Sequence, residues 1–410
     1  MSYSPDTGSF QSPADAHYEV DLSFLGCYEV RSKYEQYGSI AFFDRERNLI
    51  AMYSTSKKRL VMPDDIDWMH VKAHFRSTMV ATCTLREHLC HNHFIISNSF
   101  MLSARQNLSA HHPIRRLLKP HFYNTADVNW NAQHMLIPTH GIAFKLFAFN
   151  EDAWRRAFID CLRCYRYETF PAFIDSKGLS SDELSTLPLA TDGLDLWNVI
   201  KTYVTRYLSI FYRKGDDHDG DGDGGEGDSS DSSGGDSSGG DDVSNDAELV
   251  AYWQYFNNLQ PGVDTALPAA MTWSHVVDHL THCIFHATGG HELFGAIVEY
   301  LDDPSLMPAK LSPTSDVADV QTFFLQMSLI SLTGKKQPPL MSDWSHLHSK
   351  DVHGDDQRAI AVLHTLGMFK QELQQLDEVI VQRNAVRSQT PRMNAFCSFL
   401  PTRLECSVSV

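Results

Sequence analysis

Histidines are the residues of this 410-residue sequence whose number and spacing point most directly to chemistry. The sequence contains 21 of them, and eight lie in two stretches. The first stretch contains His88, His91 and His93, and the second contains His275, His279, His282, His286 and His291. Neutral imidazole is the commonest metal ligand that proteins use, so each stretch is a candidate metal site.

Helical spacing decides which of these imidazoles can reach one metal ion. His88 and His93 point about 140° apart on an α-helix, but they share one face of a π-helical turn. The four histidines from His275 to His286 follow one face of an α-helix, which makes them the more obvious ligands by spacing alone. Either group could instead be core histidines that form hydrogen bonds and bind no metal.

The elements that must position these side chains are mostly helices. Helical spacing of large side chains predicts two long helices, marked by Val199, Tyr203, Arg206, Tyr207 and Ile210 and by Leu363, Leu366, Phe369, Leu373 and Leu376. Ahead of the helices, residues 38–53 alternate as two short strands around a charged turn. The sequence therefore predicts a mainly α fold with a small β element near the N-terminus.

Composition predicts one folded domain with an acidic insert. Hydrophobic residues make up 42% of the chain, enough for a substantial core. Polar residues 1–20 are predicted to be a flexible tail, and residues 21–410 a single domain. Residues 215–246 consist almost only of Gly, Ser and Asp, so they are predicted to be a disordered insert. The start of a calcium-loop pattern at Asp217–Gly222 suggests at most weak Ca²⁺ binding there.

Charge and hydropathy exclude several classes of protein. The net charge of -17 argues against a general nucleic-acid-binding surface. No apolar run approaches the roughly 20 residues of a membrane span, and no signal peptide is visible. Eight scattered cysteines do not form a disulfide framework. We therefore expect a cytoplasmic protein without a stable membrane span.

The run from His88 to His121 resembles the central segment of lipoxygenases. That segment has the pattern H-x4-H, then a long helix, then H-P-x3-L-L-x-P-H, which His112–His121 matches. Further stretches resemble blocks of the same family in the same order, at residues 197–207, 283–291, 325–329, 376–385 and 405–410. The resemblance covers residues 68–410 outside the insert and implies a lipoxygenase-like helical catalytic domain in a compact form, without an N-terminal β-barrel.

The resemblance also implies a non-haem iron site. Transferred residue by residue, the ligands are His88, His93, His291 and the C-terminal carboxylate of Val410. Imidazoles with one carboxylate suit iron that keeps an open position. The family has a weak side-chain ligand four residues after the third histidine, whereas this chain has Gly295, and a water is expected to replace that ligand.

The implied reaction is the insertion of O2 into polyunsaturated fatty acids. In this family Fe(III)-OH abstracts hydrogen from a pentadiene, and O2 traps the resulting radical as a hydroperoxide. Ala132 aligns with the residue that controls stereochemistry, and alanine there implies S products, although it could equally be a packing residue. Two alternative functions remain open. The first is a lipoxygenase-fold protein that binds lipid or a partner without turnover, and the second is a lipid hydroperoxide isomerase.

Overall fold

A computed structural model of the protein describes residues 12–212, 242–260, 267–333, 336–348, 356–390 and 393–409, and most of these residues are helical. The α-helices are α1 Trp68–Ala81, α2 Asn98–Asn107, α3 Pro113–Leu118, α4 Thr125–Asn131, α5 Ile142–Leu146, α6 Glu151–Arg163, α7 Phe170–Asp175, α8 Ser181–Ser185, α9 Pro188–Leu208, α10 Ala247–Asn258, α11 Trp273–Phe285, α12 His291–Gly295, α13 Ile297–Leu301, α14 Val320–Thr333 and α15 Asp356–Arg387. No helix within the described residues is long and apolar enough to cross a bilayer. The predicted mainly α fold is confirmed.

A four-stranded antiparallel sheet precedes the helices, in the order β1 Tyr18–Asp21, β2 Ser39–Phe43, β3 Leu49–Ser54 and β4 Arg59–Val61. Strands β2 and β3 are the two that were predicted around a charged turn. One face of the sheet buries Ala41, Met52 and Val61 against Val71 of α1. This packing attaches the small β element to the first helix of the domain.

Residues 18–20 of the predicted N-terminal tail belong to strand β1. Residues 18–21 pair with β2, and the Tyr18 hydroxyl donates a hydrogen bond to Glu183 Oε1 at 2.6 Å. Residues 1–11 lie outside the described residues. The polar composition of the segment hid the strand because residues 19–21 are exposed, so the strand carries little apolar signal.

Helices α9, α11 and α15 form the centre of the main core. The stacked rings of Tyr203 on α9 and Phe369 on α15 lie 4.2 Å apart between centroids. Asp192 of α9 is fully buried and accepts two hydrogen bonds from Arg387 of α15, at 2.6 and 2.9 Å. Helices α9 and α15 are the two long helices that were predicted from spacing.

The predicted acidic insert begins and ends beside structured residues. Residues 215–241, including the calcium-like motif, lie outside the described residues. The last five residues of the predicted insert are structured, because residues 243–245 form a 3₁₀ turn and Asp246 caps α10. Asp246 Oδ2 accepts hydrogen bonds from the Tyr212 hydroxyl at 2.7 Å and from His112 Nε2 at 2.9 Å. Residues 242–246 of the predicted insert are therefore structured.

Candidate metal centre

Three of the predicted ligands converge in the core. The Nε2 atoms of His88, His93 and His291 lie 3.0 Å (His88–His93), 3.1 Å (His88–His291) and 3.2 Å (His93–His291) apart. All three side chains are buried. Among the described residues, this is the only group of three or more His, Cys, Asp or Glu donors within 4.8 Å of one another. The structure therefore favours this cluster as a metal site over the regular histidine stripe from His275 to His286.

A π-helix brings the first two histidines together. Residues Thr82–Ser97 are π-helical, so His88 and His93 share one face although they are five residues apart. His291 begins α12 directly after a second π-helical segment, His286–Gly290. The expectation that a π-helical turn would be needed for an H-x4-H pair is confirmed.

Burial keeps the three imidazoles neutral. It lowers the pKa of His93 to about 4 and that of His291 to about 3. The pKa of His88 is also well below its ordinary value, first because of burial and then because of repulsion from the other two histidines. Only a neutral imidazole has a free lone pair on nitrogen, so the cluster is ready to coordinate a metal near neutral pH.

Asn129 of α4 orients His93. The Asn129 amide nitrogen donates to Asn98 Oδ1 at 2.7 Å and to the carbonyl of His93 at 3.0 Å, which identifies its other atom as an acceptor. His93 Nδ1 therefore donates to Asn129 Oδ1 at 2.8 Å, and the lone pair is left on Nε2, towards the cluster. Sequence analysis did not single out either asparagine, because no spacing rule connects residues 93, 98 and 129.

The C-terminal segment reaches the same cluster. The carbonyl oxygen of Ser409 lies 2.9 Å from His291 Nε2. Upstream, the carbonyl of Cys406 accepts a hydrogen bond from His121 Nδ1 at 2.9 Å, and Ser407 Oγ donates to the carbonyl of Tyr123 at 2.7 Å. Val410 lies outside the described residues, so its role as a ligand stays a prediction.

The second histidine stripe forms hydrogen bonds within the core. His279 lies between two tyrosine hydroxyls, 2.8 Å from Tyr252 and 3.3 Å from Tyr167. His286 Nδ1 lies 3.1 Å from Oδ1 of Asn92 on the π-helix. Burial lowers the pKa of His279 to about 3 and that of His286 to about 4. The alternative interpretation as structural histidines fits these contacts.

Two cavities are lined by predicted site residues or by residues next to them. One, of about 360 Å³, is lined by His291, Gly295 and Ser409 among others. The other, of about 210 Å³, is lined mainly by apolar side chains, including that of Ala132, where a third π-helical segment begins. Thr333 lines both cavities. Ala132 is 1% exposed and lies between this small cavity and the core, which is compatible with both roles considered for it.

The three nitrogens fit a shared metal ion. Metal–imidazole bonds of about 2.1 Å at right angles would place two donor atoms about 3.0 Å apart, close to the observed separations. The buried Nδ1 of His88 has no hydrogen-bond partner within the described residues. No hydrogen bond at Nδ1 therefore fixes the orientation of this ring. The neutral imidazole set suits iron, zinc, copper or nickel.

Comparison with known proteins shows which proteins the chain is similar to. The family model described as Lipoxygenase matches residues 51–223. A rat epidermal-type polyunsaturated fatty acid (12S)/(13S)-lipoxygenase is 26% identical over 80% of this chain and 47% of its own length. Lipoxygenase 7, chloroplastic, of rice is 28% identical over 37% of this chain and 18% of its own length. The chain is therefore similar to lipoxygenases along most of its length, and it spans less than half the length of these two relatives.

Solved structures of lipoxygenases share the fold. Coral 8R-lipoxygenase superposes with a TM-score of 0.76 at 19% identity, over 96% of this chain and 59% of that chain. The manganese lipoxygenase of Gaeumannomyces graminis superposes with a TM-score of 0.68 at 16% identity, over 95% of this chain and 69% of that chain. The protein therefore has the helical fold of lipoxygenase catalytic domains.

Proposed function

We propose that this chain is a non-haem iron dioxygenase that inserts O2 into polyunsaturated fatty acids. The proposed ligands are His88, His93, His291 and the terminal carboxylate of Val410. The observation that carries the proposal is the triangle of three buried, neutral Nε2 atoms, in a chain that is similar to lipoxygenases. A bound iron ion would supply the one-electron chemistry that removes a hydrogen atom from the pentadiene.

The residues of the chain itself would bind the metal, orient its ligands and shield the substrate from water. Burial keeps the imidazoles unprotonated, and Asn129 sets the tautomer of His93. The π-helix holds two of the three donors in fixed positions, so little reorganisation is needed when a metal binds. The apolar walls around Ala132 offer a place for part of an acyl chain and keep water away from a reactive radical.

Ala132 is the proposed stereocontrol residue, and S products are expected. It lies at the start of a π-helical segment, and its side chain lines the smaller cavity. Ala132→Gly should shift the ratio of S to R hydroperoxide, measured by chiral chromatography. An unchanged ratio would assign Ala132 a packing role only.

Metal analysis followed by oxygen consumption tests the function. The purified protein should contain iron close to one equivalent, consume O2 with linoleate or arachidonate, and generate conjugated-diene absorbance. His93→Ala should remove both the metal and the activity. His111→Ala is the matched control, because His111 is exposed on the surface, and it should change neither. Full activity in His93→Ala would contradict the ligand assignment, and manganese in place of iron would change only the metal.

Two alternative functions are distinguished by the same measurements. Without a side-chain donor at Gly295, the chain could bind lipid without turnover, and with iron bound it could instead isomerise lipid hydroperoxides. Stoichiometric iron without O2 uptake, together with conversion of a supplied hydroperoxide, would favour the isomerase. Binding of fatty acid by a metal-free protein would favour the lipid-binding role.

A further inference from the structure

A further cavity, the His121 cavity, is enclosed by the segment around His121, by residues 340–348 and by helix α15. Its volume is about 290 Å³. Most of its lining side chains are apolar, and they include Leu117, Pro120, Leu340, Leu366, Phe369 and Leu373. Neither the three clustered histidines nor Ala132 line it. The His121 cavity is therefore distinct from the cavities at the proposed active site.

His121 presents an unused acceptor to this cavity. Its side chain is only 4% exposed, and Nδ1 donates to the carbonyl of Cys406 at 2.9 Å, because a carbonyl can only accept. Burial lowers the pKa of His121 to about 4, so the ring is neutral at pH 7 and Nε2 carries a lone pair. Nε2 forms no hydrogen bond with any described residue. This acceptor is therefore available to a molecule inside the cavity.

Two unused donors line the same cavity. The buried Nε1 of Trp344 has no hydrogen-bond partner within the described residues, and an indole N–H can only donate. Tyr203 is 4% exposed, and its hydroxyl forms no hydrogen bond with the described part of the chain. Buried polar groups usually have partners, so three unpartnered groups around one cavity indicate a missing ligand.

The charges around the cavity favour an uncharged ligand. Apart from histidines, the only lining residues with ionisable side chains of opposite charge are Asp343 and Lys370, and both are exposed. A carboxylate inside the cavity would face the lone pair of His121 and would lose its water without gaining a buried cation. A fatty acid is therefore a poor occupant.

We propose that the His121 cavity binds a medium-chain alcohol. A hydroxyl group has one O–H to donate and two lone pairs, which complement the acceptor of His121 and the donors of Trp344 and Tyr203. The alkyl chain would be buried against Leu366 and Phe369, which favours binding. The volume suits a chain of several carbons, because sites for larger ligands usually enclose about 300–1,000 Å³. This inference does not depend on the proposed metal.

Calorimetric titration of the full chain with 1-heptanol tests this inference. We expect saturable binding at one site. Hexyl methyl ether is an isomer of 1-heptanol that cannot donate a hydrogen bond, and heptanoate is a charged counterpart. Both should bind at least ~10-fold more weakly, because His121 Nε2 would keep no donor. Equal binding of the ether or of heptanoate would overturn the assignment of the ligand class.

Variants locate the binding in the His121 cavity. In His121→Phe the preference for the alcohol over the ether should disappear, although this change also removes the hydrogen bond to Cys406. Gly367→Leu leaves every hydrogen bond in place. Gly367 lines the cavity, and a Cβ there would meet no atom within 4 Å, so the new side chain can fill part of the space. Binding of 1-heptanol should weaken at least ~10-fold, because the leucine excludes the ligand. Gln374→Leu is the matched control on the exposed surface of the same helix, and it should bind normally.

The outcomes separate this inference from the proposed function. An absence of saturable 1-heptanol binding, or equal affinity in Gly367→Leu and Gln374→Leu, would overturn the inference and leave the dioxygenase proposal standing. Binding of 1-heptanol with these differences, in a protein that takes up neither metal nor O2, would support the inference and overturn the dioxygenase proposal.

Discussion

Asn129 connects the proposed metal centre to the rest of the core. Its side chain accepts a hydrogen bond from His93 Nδ1 and donates two others, to Asn98 and to the His93 carbonyl. These three bonds fix both the tautomer and the direction of one imidazole. Partners of this kind determine metal affinity although they do not touch the metal.

Replacing Asn129 should weaken metal binding without removing a ligand. In Asn129→Leu, His93 loses its acceptor, and we expect metal affinity to fall about 10–100-fold. Competition with a chelator measures this affinity. Asn107→Leu is the control, because Asn107 donates only to the carbonyl of Ser103 on its own helix. Equal affinities in the two variants would show that the bond to His93 does not position the ring.

Much of the candidate site could be predicted from the sequence, because the ligands belong to short motifs. His88, His93 and His291 converge, and the π-helical geometry followed from the five-residue spacing. Regular spacing was a misleading signal for the stripe from His275 to His286, since α-helical periodicity also places histidines in a hydrogen-bonded core. Asn129 and the Ser409 carbonyl could not be predicted, because their roles depend on contacts between segments distant in sequence.

Helices α9 and α15 are joined by a buried ion pair between Asp192 and Arg387. Asp192 is fully buried, and Arg387 is 8% exposed. Arg383 also donates to Asp192, at 2.9 Å, and forms a second pair with the more exposed Asp195 at 2.8 Å. The two helices are therefore joined by charges with very different exposure to solvent.

This difference predicts unequal effects of two similar substitutions. Asp192→Ala leaves Arg387 buried without its carboxylate and should lower the free energy of unfolding by about 3–5 kcal/mol. Asp195→Ala removes a partly exposed pair and should lower it by less than about 1 kcal/mol. Urea unfolding followed by circular dichroism measures both. Similar losses in the two variants would contradict the importance given to burial.

The helices were easier to predict than the strands for a physical reason. Large apolar side chains recur along α9 and α15 at helical intervals, so both were visible in the sequence. Strand β1 carries exposed residues and pairs through its backbone, and backbone pairing leaves no pattern in the side chains. The packing of α9 against α15 through Asp192 and Arg387 could not be predicted, since charged pairs are usually exposed.

The molecule as a whole should be sensitive to mild acid. Burial lowers the pKa of His121 and His286 to about 4 and that of His279 to about 3, against about 6.5 in an unfolded chain. Between pH 6.5 and about 4 the unfolded chain therefore binds protons that the folded protein does not. Each of these three histidines lowers the free energy of unfolding by about 1.4 kcal/mol for each unit by which the pH falls in this range. Groups with a raised pKa act in a different range, since the contribution of His91, whose pKa is raised to about 9, is complete below about pH 6.5 and is lost as the pH rises from there to about 9.

Urea midpoints at several pH values measure this sensitivity. Stability should be greatest near pH 6.5 and should fall steadily towards pH 4. In His121→Asn one fewer proton is taken up on unfolding. The free energy of unfolding should therefore decline less steeply, by about 1.4 kcal/mol per pH unit. His111→Asn, at an exposed position, should leave the slope unchanged. A flat stability profile from pH 7 to pH 5 would contradict the assignment of these histidines as buried and neutral.

The hydrogen bond between Tyr212 and Asp246 joins the residues on the two sides of the acidic segment. Because this bond joins the two sides of the segment, we expect the core to tolerate a change in the length of chain between Tyr212 and Asp242. Residues 213–241 should be replaceable by a short Gly-Ser linker, or by a fluorescent protein as a built-in reporter. The melting temperature and the metal content of such chimeras should match those of the parent chain.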